Sequence, residues 1–83
     1  MVLGCYCVLD KAVSAFMTPF FCRSDAESVR SFRDACSNPE HQFNRHLPDY
    51  VLYRTGSFDD SNGQMNALDS PVMIIAGLSL KSD

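Results

Sequence analysis

The sequence predicts a small α+β domain: an antiparallel sheet in β-β-α-β-β-α order with one main helix packed on one face. Three observations point there. A capped, striped helix pattern covers residues 25–36. Strand-like runs flank it at residues 2–9 and 50–58. An Asn62-Gly63 pair then signals a hairpin directly after the second run. At 83 residues the chain is expected to form one domain, 1–83, with the marginal stability of a chain that buries about 60–65% of its unfolded surface.

The first run, Val-Leu-Gly-Cys-Tyr-Cys-Val-Leu at 2–9, is apolar on both faces, as in a central strand. The more uniformly apolar set, Leu3, Cys5, Cys7 and Leu9, is expected to face the core. Residues 14–22 are aromatic-rich but contain Pro19, which suits an edge strand or an irregular extended segment. Ser24 and Glu27 then form a capping box. Ala26, Val29, Phe32, Ala35 and Cys36 follow as a helical stripe that stops before Pro39. Residues 38–49 read as a polar loop. A strand over 50–58, an acidic turn at 59–63 and a short return strand over 64–67 come next. Ser70-Pro71 resembles an N-cap and first helical position, which makes Val72–Ala76 a short helix with Gly77 as its C′ residue. The competing expectation makes residues 72–80 a last strand.

Chemistry-bearing residues are sparse. Cys5, Cys7, Cys22 and Cys36 could supply four thiolates, but the first pair lies mid-strand and not in a C-x2-4-C knuckle, so the thiols are expected in the core and no metal is expected. Cys36, His46 and Asp49 are the one conceivable catalytic trio. Cys36 sits at a helix C-terminus, where the dipole disfavours a thiolate, so no catalytic residue is expected. Asp59-Asp60-Ser61-Asn62-Gly63 lacks the alternating ligands and distal glutamate of a calcium loop. The four glycines are scattered, so no phosphate-cradling loop and no cofactor is expected.

Net charge is −3, with seven Lys and Arg against ten Asp and Glu, so phosphate binding would need a local basic patch. Arg23, Arg30, Arg33 and Arg54, with Tyr6 and Tyr53 as stacking rings, are the candidates for gripping a single strand. The alternative is a solvated helix face whose arginines pair with Asp25, Glu27 or Asp34. The start Met1-Val2-Leu3-Gly4 lacks a basic signal-peptide region, and the longest apolar run, Val72 to Leu78, is too short to span a bilayer. Reduced thiols and a cytoplasmic location are expected.

An ordered set of residues carries a resemblance. Pro19-Phe20-Phe21, Asp25-Ala26, Arg30-Ser31-Phe32, Asn38-Pro39, Phe43, His46, Asp49-Tyr50, Leu52-Tyr53, Gly56, Phe58-Asp59-Asp60 and Gly63 follow in this order. The chain thereby resembles the small nonstructural protein of gokushoviruses, single-stranded DNA phages of the microvirus group. The likeness runs from Tyr6 to about Gly63; the four cysteines and His41 stand outside it. It implies a non-enzymatic protein of the host bacterial cytoplasm, absent from the virion, with a role in viral DNA metabolism. That role would be single-stranded DNA binding, or a switch to single-stranded genome synthesis and packaging. The partners implied are single-stranded DNA or a viral replication, procapsid or host protein. A homodimer through residues 14–22 is also expected, because an edge segment can pair across a two-fold.

Overall fold

Both faces of the first strand are buried, and the rest of the fold follows from what covers each one. The computed structural model describes residues 1–80, so Lys81, a further cation of the sequence, lies outside the described residues. The chain runs β1 (Val2–Asp10), β2 (Ala15–Phe16), β3 (Phe20–Cys22), α1 (Asp25–Ser37), α2 (Gln42–Arg45), a 3-10 turn at Leu47–Asp49, β4 (Tyr50–Asp59), β5 (Gln64–Ala76) and a closing 3-10 turn at Gly77–Leu80. The sheet is antiparallel in the order β2-β1-β4-β5, with β3 also paired to β1. β1 is therefore central, and the 14–22 segment is an edge broken into two short strands around Pro19.

The helix forms where its local signals lie. The Ser24 hydroxyl accepts from the Glu27 amide at 3.2 Å, and the Glu27 carboxylate accepts from the Arg23 amide at 3.1 Å. The reciprocal cap thus reaches one residue further back than a standard capping box. Ser28, Phe32 and Cys36 make the buried stripe of α1. Phe32 and Cys36 pack on Tyr6, Val8, Cys22, Phe43, Tyr50 and Leu52 to form the core. The loop expected over 38–49 contains α2, capped by His41, whose Nδ1 accepts from the Phe43 amide at 3.1 Å. That bond requires the neutral ring with its proton on Nε2.

Two expectations are corrected here. The helix packs on the Tyr6/Val8 face of β1 and not on the Leu3/Cys5/Cys7/Leu9 face. Tyr6 is fully buried, because its ring fills the space beside α1 while its hydroxyl reaches a helix carboxylate, a combination no aliphatic face could provide. Residues 72–76 form no helix: they extend β5 along β4, from Arg54↔Val72 to Val51↔Ala76. Long-range pairing overrides the local Ser70-Pro71 signal, and Pro71 is tolerated because β5 is an edge strand. Gly77 is needed for close approach: a Cβ there would lie 2.9 Å from the Leu47 carbonyl oxygen.

Both ladders of β4 break at Thr55. On one side the register slips between Cys5 and Tyr6; on the other, residues 68–71 bulge opposite Thr55. The bulge carries Asp69 and Pro71 in mid-edge, a combination that keeps a long exposed edge strand from pairing with a neighbour. The hairpin closes through a four-residue loop, Asp60–Gly63, with Gly63 at φ +77° and its amide donating to the Asp59 carbonyl at 2.8 Å.

Gly4 sits beside Tyr6, and a Cβ there would overlap the phenol ring and its oxygen. Gly4→Ala is therefore expected to destabilise by about 1–3 kcal/mol, the range for overpacking a tight interior. A lowered urea midpoint at unchanged m-value would show it; an unchanged midpoint would mean that Tyr6 is free to yield.

Candidate functional site

The strand pairing sorts side chains onto two sheet faces. Tyr6 pairs with Arg54 and Val8 with Leu52 on the helix side. Cys7 pairs with Tyr53, Leu9 with Val51 and Leu3 with Phe58 on the side without a helix. Phe16 and Phe21, opposite Leu9 and Cys5 on the other flank of β1, point the same way.

On the helix side, one carboxylate joins three elements. Asp25 Oδ1, in the first turn of α1, accepts from the Tyr6 hydroxyl at 2.7 Å and from the Arg54 guanidinium at 3.1 Å. A carboxylate there also complements the helix dipole. Burial raises the Tyr6 phenol to about 12, helped by its hydrogen bond to Asp25 and by that group's charge, while Arg54 pulls the other way. The Arg54–Asp25 pair is itself about half exposed, so its ionic part is worth at most about 1 kcal/mol.

On the other side, two aromatic pairs bridge across β1. Phe16 meets Tyr53 edge-on with centroids 5.3 Å apart, and Phe21 meets Phe58 at 5.7 Å. These rings roof the middle of the face. That is why Cys5 and Cys7 are buried although no helix covers them. Thr55, aimed inward by the bulge, brings its hydroxyl to 3.3 Å from the Cys5 sulfur and 3.7 Å from that of Cys7. Burial, the larger influence, pushes the Cys7 thiol up, partly offset by Thr55. The outer parts of the rings stay exposed, as do Met65 and Met73 of β5, which pair with Phe58 and Tyr53. These exposed apolar side chains therefore share one sheet face.

Of the six residues expected to bind nucleic acid, Tyr6 and Arg54 meet at Asp25 on the helix side, while Tyr53 lies on the opposite sheet face. Tyr6 is fully buried, so it has no ring face for a base, which corrects its assignment as a stacking residue. Arg54 is engaged by Asp25. Arg30 and Arg33 are exposed along α1, on the helix side, and form no ion pair with another described residue. Arg23 stands at the entry to α1. Only Tyr53 lies on the open face, where its companions are Phe16, Phe21 and Phe58, which sequence reasoning missed. The alternation Phe20-Phe21-Cys22 held a usable signal, since one ring must point away from the buried Cys22.

The cysteines divide as well. Cys22 and Cys36 lie in the helix-side core, across the sheet from Cys5 and Cys7. Among the described residues no three Cys, His, Asp or Glu side chains are grouped to hold a metal. Burial pushes the Cys36 thiol up to about 11, which keeps it protonated near neutrality.

These features define a class: a two-layer α+β protein with helix on one sheet face and an open, apolar, aromatic surface on the other. The chain belongs to the phage ORF5 protein family, whose family model matches residues 3–80. No curated protein and no solved structure matches it. No helix among the described residues is long and apolar enough to cross a membrane.

The Tyr6 phenol makes stability depend on alkaline pH. Below its ordinary value of 10 the group is neutral in both states and its contribution is complete. As pH rises from 10 through about 12 the unfolded chain ionises first, so that contribution is lost. Tyr6→Phe is expected to cost about 1–2 kcal/mol near neutrality through the lost bond to Asp25. Urea titrations from pH 8 upward should show the wild-type advantage shrinking as the phenol titrates. A gap that stays constant would mean that Tyr6 is not the responsible group.

Proposed function

We propose that this phage protein works by binding and not by catalysis, and that its open sheet face docks a protein partner in viral DNA metabolism. One observation carries the proposal. The exposed rings and methionines lie on the face opposite the helix, while Arg30 and Arg33 lie on the helix side. A face built this way suits an apolar protein surface and lacks the cations that phosphate requires. The buried, protonated Cys36 thiol is a poor nucleophile, which supports a non-enzymatic role.

The resemblance to gokushovirus nonstructural proteins supplies the setting: the bacterial cytoplasm, and a step that favours single-stranded genome synthesis or prepares DNA for packaging. The partner class is then a viral replication or procapsid protein, a host protein, or a second copy of this chain.

Direct binding of single-stranded DNA is the second reading. The roof of aromatic pairs favours it, because bases stack on such rings whatever their sequence. Fluorescence anisotropy with a single-stranded oligonucleotide at low and moderate salt separates the two. Docking of protein predicts no binding even at low salt, together with self-association of the chain or recovery of an identified viral or host protein from infected cells after nuclease treatment, either one abolished by Tyr53→Asp. Salt-sensitive binding of the oligonucleotide, weakened by the same substitution, would establish the second reading and displace the first.

A further inference from the structure

We infer that the occupant of the open sheet face is a second copy of this chain, seated face to face about a two-fold axis with both α1 helices outward. The inference rests on the docking proposal above and names the partner. Four observations lead to it.

First, the ladder-paired strand side chains on this face carry no charge, and Asp69 lies in the unpaired bulge at its β5 margin. Two copies, each of net charge −3, can meet over these paired positions without bringing like charges together. Second, the size fits. An elliptical outline with the two longer axes of the molecule, 42 and 23 Å, bounds the face at about 760 Å², so it can approach the ~800 Å² per partner that specific interfaces bury. Third, the face has matching ends. The Phe16–Tyr53 pair lies toward one end of β1 and the Phe21–Phe58 pair toward the other. A two-fold across the strands sets each pair over the other pair of the partner, as an isologous contact requires. Fourth, pairing through the β5 edge is obstructed. β5 has a long free edge, but the bulge with Asp69 and Pro71 interrupts it.

Packing of two sheets at about 10 Å would cover Phe21, 42% exposed, and Met73, 60% exposed, as the inner layer of a sandwich. It would also give this small domain the additional apolar burial that chains of its size commonly take from a partner subunit.

Sedimentation velocity from micromolar to hundreds of micromolar protein tests this. The expected species has twice the 9.3 kDa chain mass. Phe21→Glu and Met73→Lys should each halve that mass with unchanged helical circular dichroism, and Met73→Lys keeps the test open if Phe21→Glu fails to fold. Arg30→Glu, on the outer helix, should remain dimeric. A dimer that survives both face substitutions would overturn the assignment of this face. A wild-type monomer that captures an identified viral protein, with capture lost in Met73→Lys, would overturn the dimer and leave the docking proposal standing. A monomer without such capture would overturn both.

Discussion

The hydrogen bond from the buried Tyr6 hydroxyl to Asp25 is the contact on which the rest of the arrangement depends. It ties the central strand to the first turn of the one long helix, and through Arg54 it reaches β4 as well. Gly4 leaves the room that the phenol ring occupies. Once that hydroxyl and that carboxylate meet, the helix can lie only on the Tyr6/Val8 side of the sheet. The opposite side is thereby left without a covering layer. That contact pins the helix to the face where Phe32 and Cys36 bury themselves against Tyr6, Val8 and Leu52.

The uncovered face is not simply exposed core. Its centre, around Cys5, Cys7 and Thr55, is closed by side chains from its own rim: Phe16 over one end and Phe21 over the other. The break in both ladders at Thr55 bends the sheet there and turns the Thr55 hydroxyl toward the two sulfurs. The result is a surface with two buried thiols at its centre and aromatic rings at its margins. Arg30 and Arg33 lie on α1, and Arg54 turns to the helix side, where Asp25 engages it. That separation is the physical reason for preferring a protein occupant over a polynucleotide, since a phosphate chain lying on the rings would meet no counter-charge.

The helix was legible in the sequence because its signals are local: Ser24 and Glu27 cap it, and Val29, Phe32 and Cys36 stripe it. β1 was legible as central because both alternating sets are apolar, but composition did not reveal which set faces the helix. The deciding partner of Tyr6 lies nineteen residues away in sequence, and no local pattern announces it. Residues 72–76 misled for a related reason. Ser70-Pro71 has the local form of a helix start, whereas pairing with residues 51–54 of β4 governs the segment. The candidate site suffered most. The arginines and tyrosines were chosen by residue type, whereas strand parity sends Tyr6 inward and Tyr53 outward, and Phe16, Phe21 and Phe58 form the surface instead.

The central claim is that the helix-free face is where this protein meets its partner. Methionine methyl NMR tests it most directly, because the side chains report on both sides of the sheet: Met65 and Met73 on the open face, Met17 packed beside the helix-side core. On raising the concentration, or on adding the partner, the Met65 and Met73 methyl signals should shift while that of Met17 stays in place. Shifts confined to Met17, or no shift at Met65 and Met73 once binding is saturated, would contradict the account.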